Sequence, residues 1–311
     1  DADTGTAGAQ DGNGTFSVGG NNWWDGSANQ NWANNFASPA IFGSGGTGTV
    51  TLGSNIRTGG NGYRFDNDYT IDTNGFYLGG QGNNNLRTSA GVNASVIGTG
   101  DYRYFTNGTD ITTDSGSTLT IDARVVENVA NLTIEKKGSG TLILNGANTY
   151  TGKTHIIDGI LVAGVNDVAA TSGALGNGGD IDFAGGTLEY ATGVTQDYSS
   201  RIANSASAIK VDTNGETVLW ETALATTNTG GLTKEGAIYL FIDNEPSDPQ
   251  TLTVKDVPMA NNAFWSITVY DKDGYPQGEH FSLNSTFATE NDEGETIVRF
   301  GGSPDQENYL E

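Results

Sequence analysis

Two histidines are the residues best suited to acid–base or metal chemistry in this 311-residue chain, which contains no cysteine. His155 lies within a run of β-forming residues, and His280 follows a predicted hairpin turn. With only two histidines and no cysteine, carboxylates would have to supply the remaining ligands of a zinc site. No Gly-x-Ser-x-Gly nucleophile elbow is present, although a Ser-His-Asp triad assembled from distant residues stays open. We therefore predict structural or surface roles for both histidines.

Pairs of carboxylates two residues apart are the second candidate for chemistry. On a strand or in a turn this spacing places both acids on one face, as in sites that hydrolyse sugars or bind Ca²⁺. None of the pairs completes the Asp-x-Asn-x-Asn-Gly-x₅-Glu calcium loop. We predict no catalytic residue and no required cofactor, with Ca²⁺ as the possible ligand at Asp66, Asp68, Asp271 and Asp273. Asp180 and Asp182 form a further pair of this kind.

The composition restricts the class of protein and of partner. The chain has 46 glycines, about twice the usual share, and only 16% charged residues. Its net charge of −23 makes nucleic acid and anionic membrane surfaces unfavourable partners, whereas divalent cations, cationic surfaces and neutral glycans stay open. No apolar run reaches the ~18 residues of a membrane span. The chain starts at Asp1 without a methionine, and we interpret it as a processed mature form or a fragment.

Short β-forming runs separated by Gly, Asn, Asp and Ser must position these side chains. The stretch Gly138–Gly164 contains two such runs, from Thr141 to Leu144 and from Thr154 to Val162, joined by an Asn- and Gly-rich turn. Similar runs recur at irregular spacing from residue 48 to residue 220, and this is typical of stacked β-coils. The predicted fold is all-β: a right-handed parallel β-helix followed by a small antiparallel β-sandwich.

A composition change near Gly236 predicts a domain boundary. Only five of the 46 glycines follow this position, but five of the six prolines do. The tail alternates apolar and polar residues, with hairpin turns predicted at Asp273-Gly274 and Glu293-Gly294. We predict a β-helix over residues 21–236 and an antiparallel sandwich, apparently without its last strand, over residues 237–311.

The N-terminal region is expected to form an arm and a cap. Residues 1–20 are small and polar apart from Thr15–Val18, so Phe16 and Val18 are the apolar positions that could donate a strand to a neighbour. Three of the five tryptophans follow within 12 positions. A solenoid end must be covered, so we interpret Trp23, Trp24 and Trp32 as a cap, with a sugar-stacking platform as the alternative.

Gly138–Gly164 resembles the autotransporter-associated β-strand repeat of bacterial passenger domains. The matching residues are Lys137, Gly138, Gly140, Thr141, Leu142, Leu144, residues 146–152, Thr154, Gly159 and Leu161. Residues 230–236 resemble the start of a second copy, and a weaker pattern extends the resemblance over about 20–236. The resemblance implies a secreted or surface-displayed parallel β-helix of adhesive or structural type.

The tail resembles a second family, domain of unknown function 1214. Residues 264–275 match its hallmark Phe-Trp-Ser-x-Thr-x-Tyr-Asp-x-Asp-Gly-Tyr. This resemblance implies no catalytic residues.

These observations predict a non-enzymatic extracellular or cell-surface structural protein of bacterial type. We expect a homopolymer in which the N-terminal arm adds a strand to the C-terminal domain of the next copy, because unpaired sheet edges are normally covered. Two alternatives are a monomeric adhesin or glycan-binding module that uses the three tryptophans, and a polysaccharide lyase or hydrolase that uses paired acids.

Overall fold

The computed structural model divides the chain into two units, Asp1–Leu240 and Phe241–Glu311. The described residues are 11–21, 23–35, 38–59, 62–80, 86–106, 108–225, 227–240, 250–254, 266–269, 279–292, 294–301 and 303–310.

Three parallel sheets form the first unit, and its strands are numbered along the chain. The largest has ten strands in the order β1 (Gly14–Phe16), β5 (Gly48–Leu52), β8 (Tyr69–Asp72), β11 (Asn93–Ile97), β14 (Thr118–Ile121), β17 (Thr141–Leu144), β19 (Ile160–Ala163), β21 (Thr187–Tyr190), β22 (Ile209–Trp220) and β23 (Leu232–Leu240). The second has seven strands in the order β20 (Ile181–Phe183), β18 (Thr154–Ile156), β16 (Ile134–Lys137), β13 (Thr109–Thr113), β10 (Leu86–Thr88), β7 (Tyr63–Phe65) and β4 (Ala40–Phe42). The third has four strands in the order β15 (Arg124–Glu127), β12 (Asp101–Tyr104), β9 (Tyr77–Gly80) and β6 (Ile56–Thr58).

Each inner strand of these sheets pairs with strands of the preceding and following coils, so the chain winds as a solenoid. The all-β parallel β-helix predicted from the recurring β-runs is therefore confirmed. One 3₁₀ turn at Ser199–Arg201 interrupts the strand pattern. Within the described part of the chain, no helix has the length and apolar character needed to cross a membrane.

Alternation within each strand sends one set of side chains into the core. Leu119, Leu142, Leu161 and Leu188 occupy matching positions on consecutive strands of the ten-stranded sheet, and all four are buried. Burying a leucine of this kind contributes on the order of 2 kcal/mol. A continuous apolar column therefore holds the coils together, while the alternate positions point outward.

Asn148 within the predicted repeat and Lys136 just before it have buried polar side chains. Asn148 accepts a hydrogen bond from the Val125 amide (2.7 Å) and donates one to the Ala174 carbonyl (2.7 Å), which joins three successive coils. The Lys136 amine donates to the carbonyls of Lys137, Gly138 and Asp158 at 3.0, 2.6 and 2.9 Å. These hydrogen bonds satisfy both side chains, because a buried amide or amine needs hydrogen-bond partners within the protein.

The N-terminal residues depart from the expected free arm. In the structure β1 pairs in parallel with β5 of the same chain, and Phe16 is 1% exposed in the core. Val18 is exposed and forms a parallel bridge with Trp32. The correction has a simple cause, since the first coil of the chain itself buries Phe16. Residues 1–10 lie outside the described residues.

The second unit contains two small sheets among its described residues. One has the order β24 (Gln250–Val254), β27 (Thr296–Phe300) and β28 (Tyr309–Leu310), with an antiparallel and then a parallel pairing. The other pairs β25 (Ser266–Thr268) with β26 (Ser282–Asn284) in antiparallel fashion. Val298 and Leu310 are fully buried in a separate small core. These antiparallel pairs are consistent with the predicted sandwich.

Candidate binding surfaces

The tryptophan-rich segment packs at the N-terminal end of the first unit. Its hairpin joins β2 (Trp23–Trp24) to β3 (Asn29–Gln30). The Trp23 ring lies 4.4 Å from Phe16 and 4.9 Å from Trp32 between centroids, and Trp32 is 7% exposed. Trp32 Nε1 also donates to the Arg57 carbonyl at 3.2 Å. Trp23 and Trp32 therefore share the aromatic core, whereas Trp24 lies half-buried beside it.

The calcium candidates in the first unit are occupied by protein donors. Asp66 forms an ion pair with Arg64 (2.6 Å) and accepts a hydrogen bond from Ser89 Oγ (2.7 Å). Burial opposes ionisation of Asp66, but these hydrogen bonds outweigh it and lower the pKa of the carboxyl. Asp68 accepts from the Asn93 amide at 2.6 Å. Both acids thus connect neighbouring coils.

Asp271 and Asp273 lie outside the described residues. Within the described ranges, no group of three or more His, Cys, Asp or Glu residues is arranged to hold a metal ion.

His155 lies between two carboxylates on the outer face of the seven-stranded sheet. Its register partners are Glu135 on β16 and Asp182 on β20, at nitrogen–oxygen distances of 3.8 and 3.6 Å. Lys137 bonds Glu135 at 2.6 Å and lowers the pKa of that carboxyl, and Lys153 lies 3.3 Å from Asp182. These acidic and basic side chains therefore alternate across adjacent coils, and the lysines offset the charges of Glu135 and Asp182.

His280 belongs to the second unit, where its ring lies 5.8 Å from the Tyr309 ring.

The four-stranded sheet carries a cluster of arginines and aromatic rings on its outer face. Arg57 Nε donates to the Tyr77 hydroxyl at 2.8 Å, and its guanidinium carbon lies 5.7 Å from the Tyr77 centroid and 5.3 Å from the Phe105 centroid. Arg103 lies 5.2 Å from the same Tyr77 centroid. All four side chains are half-buried. We name Arg57, Tyr77, Arg103 and Phe105 the arginine–aromatic face.

A glycine allows the rings to lie low on this sheet. Gly79 stands between Arg57 and Arg103 in the register of β6, β9 and β12. A Cβ at Gly79 would meet Phe105 Cε2 at 2.7 Å and Tyr77 Cδ2 at 3.2 Å. The two rings therefore occupy the space that a side chain would take, and they form a floor between two guanidinium groups.

One carboxylate borders the face. Asp101 is 12% exposed and bonds Arg103 at 3.1 Å and Arg124 at 2.9 Å. The hydrogen bond from Arg124 raises the pKa of that guanidinium. The strands of this sheet carry three arginines against Asp101 and Glu127, so this part of a strongly acidic chain has a small positive net charge.

Sequence reasoning did not find the arginine–aromatic face. At least 20 positions of the chain separate Arg57, Tyr77 and Arg103 from one another. These side chains become neighbours only through the register of the coils. The Tyr102–Phe105 run, in which Arg103 stands between two tyrosines and Phe105 follows, was the sequence feature that could have indicated this face.

Stacked parallel coils with register-matched leucines define a parallel β-helix. Residues 134–163 match the Passenger-associated-transport-repeat family. The chain is 28% identical over 174 residues to the adhesin BmaC autotransporter of Brucella suis biovar 1 (strain 1330), an alignment that covers 54% of this chain and 5% of that protein. The autotransporter-type repeat predicted at Gly138–Gly164 is therefore confirmed. The chain carries a passenger-type β-helix repeat.

No solved structure matches the chain. The resemblance of residues 264–275 to domain of unknown function 1214 stays a prediction.

Proposed function

We propose that this chain is a surface-exposed, non-enzymatic β-helix segment of the adhesin type. The observation that carries the proposal is the passenger-type repeat at residues 134–163 within a solenoid of parallel coils. The similarity of 174 residues to a protein named an adhesin supports the same class. Such a segment would lie at the bacterial cell surface or outside it.

The packing of the first unit suits a binding scaffold. Its buried apolar residues and the buried amide of Asn148 hold the coils together. The outward side chains lie on strands whose positions are set by backbone pairing on both sides. Side chains on such a surface lose little conformational freedom on binding, and this preorganisation favours affinity.

The acidic pairs support this non-enzymatic proposal. Asp66 and Asp182 each lie within ion-pair distance of a basic residue, at 2.6 Å from Arg64 and 3.3 Å from Lys153. A general acid for glycoside hydrolysis needs a raised pKa, whereas the pKa of Asp66 is lowered.

Self-assembly by strand addition is the second candidate function. Within the described residues, β24 and β28 form the outer strands of their sheet in the second unit, and such strands can pair with another chain. A donor from residues 11–18 would first have to leave its pairing with β5. The strand-donation proposal keeps residues 1–20 as the donor arm, with Phe16 and Val18 as its apolar positions.

Attachment of beads that carry the full chain tests the adhesin proposal. We expect beads at fixed protein density to bind at least one surface coated with mucin, fibronectin, laminin or collagen, at least tenfold above albumin. Equal retention on all five coatings would contradict the proposal. Electron microscopy of the concentrated protein addresses the second candidate: filaments that vanish when residues 1–20 are deleted support strand donation, and dispersed particles exclude it.

A further inference from the structure

We propose that the arginine–aromatic face is a binding site for a glycan whose sugars carry isolated carboxylates. This inference rests on the adhesin-type function and names the site and the ligand class. The face combines two features that sugar acids require, namely aromatic rings for the apolar face of a pyranose and guanidinium groups for a carboxylate.

The rings provide the stacking surface. Tyr77 and Phe105 are half-buried, with centroids 5.9 Å apart. Since Gly79 contributes no side chain, both rings lie against the backbone of the sheet. Their motion is restricted by the two arginines above and beside them. A sugar can contact the part of each half-buried ring that the guanidinium groups leave uncovered, with little loss of side-chain entropy.

The arginines provide the charge recognition. Arg57 and Arg103 flank Gly79 in one row of the sheet, so two guanidinium groups lie on either side of the ring floor. A guanidinium binds a carboxylate through two parallel N–H donors, and this geometry favours a sugar acid over a neutral sugar. Arg103 uses Nη2 to bond Asp101, so a ligand carboxylate would share this guanidinium with Asp101.

The net charge of the protein disfavours densely charged ligands, so the expected glycan carries widely spaced carboxylates. A chain with a net charge of −23 repels a dense polyanion, and only charges within a Debye length of about 8 Å act strongly at physiological salt. The three arginines Arg57, Arg103 and Arg124 outnumber the two acids of this sheet, Asp101 and Glu127, so a single carboxylate is attracted there. A sialic-acid or uronic-acid residue within an otherwise neutral glycan fits this balance.

A second pair of arginines supplies a matched control. Arg64 and Arg87 are register neighbours on the outer face of the seven-stranded sheet and are paired with Asp66 and Asp114. In the described part of the chain, no aromatic ring stacks on either of them. The double variants Arg57→Gln with Arg103→Gln and Arg64→Gln with Arg87→Gln therefore change the charge equally and differ only in the surface they alter.

Binding of multivalent glycan conjugates to the full chain tests the proposal. We expect sialyllactose conjugates to bind, and lactose and heparin to bind at least tenfold more weakly. The Arg57/Arg103 variant should lose at least tenfold in affinity for sialyllactose, whereas the Arg64/Arg87 variant should match the parent. Unchanged binding by the Arg57/Arg103 variant would overturn the site. Equal weakening in both variants, or preferred binding of heparin, would identify non-specific charge instead and also overturn it.

Labelling keeps the test decisive if the Arg57/Arg103 variant does not fold. Bound sialyllactose should protect Arg57 and Arg103 of the parent protein from a dicarbonyl reagent but leave Arg64 and Arg87 reactive, as read by mass spectrometry. Uniform reactivity would refute the site. If sialyllactose does not bind while beads with the full chain still attach to coated surfaces, this inference fails and the adhesin proposal stands.

Discussion

Lys136 shows how a single buried charge can be held inside a solenoid. Burial lowers the pKa of its amine to about 8, while the charge of Asp158 opposes that shift. Three carbonyl acceptors surround the amine and replace the hydrogen bonds that it would make to water. Alternation along β16 separates this lysine from its neighbour Lys137, which lies on the outer face, partly exposed and bonded to Asp110.

The depressed pKa of Lys136 makes stability depend on pH. Between about pH 8 and the ordinary lysine pKa of ~10.5, the unfolded chain binds more protons than the folded one, so stability rises with pH. We expect the unfolding free energy of the parent, relative to Lys136→Met, to increase by about 1–3 kcal/mol from pH 8 to pH 10. Denaturation of both proteins measures this difference, and a difference that is constant over the range would contradict the assignment.

Asn148 should be more important to stability than an exposed asparagine with the same contacts. Asn166 also accepts from a backbone amide and donates to a carbonyl, namely those of Thr195 and Gly193, but it is exposed. Replacing Asn148 by Asp removes a buried donor and adds a buried charge, so we expect a loss of about 3 kcal/mol or more. Asn166→Asp should cost less than about 1 kcal/mol. Similar denaturation midpoints for the two variants would be inconsistent with this role.

Close stacking of coils depends on small residues at the corners. A Cβ at Gly152 would lie 2.0 Å from the Leu132 carbonyl oxygen of the preceding coil, whereas a Cβ at Gly14 meets nothing within 4 Å. Gly152→Ala should therefore lower the unfolding free energy by about 2 kcal/mol or more, and Gly14→Ala by less than 1 kcal/mol. Urea denaturation compares them, and equal midpoints would show that the corners tolerate expansion.

The N-terminal hairpin should protect the first coil from unfolding. Trp32 lies in the aromatic core and bonds the Arg57 carbonyl, so we expect Trp32→Ala to cost about 3–5 kcal/mol. Trp24 does not belong to that core, and Trp24→Ala should cost less. Because each coil contacts mainly its neighbours, Trp32→Ala should speed hydrogen exchange first in the nearest strands, β1, β5 and β8. Exchange that is uniform along the first unit would argue against an end cap.

The fold was more predictable than the binding surface for a physical reason. The Thr141–Leu144 run and the similar runs each predict a strand. Burial of their apolar faces then favours a register in which similar residues stack on one another. The sequence placed Phe16 in a free arm, because a short alternating run predicts a strand but not the strand with which it pairs. Tyr77, Arg57 and Arg103 become neighbours only after coil lengths set the register, which local patterns do not encode.

At the scale of the whole molecule, the first unit combines an acidic scaffold with one locally cationic, aromatic surface. The net charge of −23 favours solubility and disfavours self-association at low salt. The autotransporter-type repeat and the outward arginine–aromatic face are the features from which we propose adhesion through the side of the solenoid.

Retention of protein-coated beads under flow tests this account most directly. Beads carrying the full chain, its Arg57/Arg103 variant or its Arg64/Arg87 variant are compared on mucin and on albumin. We predict that the parent and the Arg64/Arg87 beads stay attached to mucin at least tenfold longer than to albumin, and that the Arg57/Arg103 beads do not. Parent beads that leave mucin as quickly as albumin, or an Arg57/Arg103 variant that stays as long as the parent, would contradict adhesion through this face.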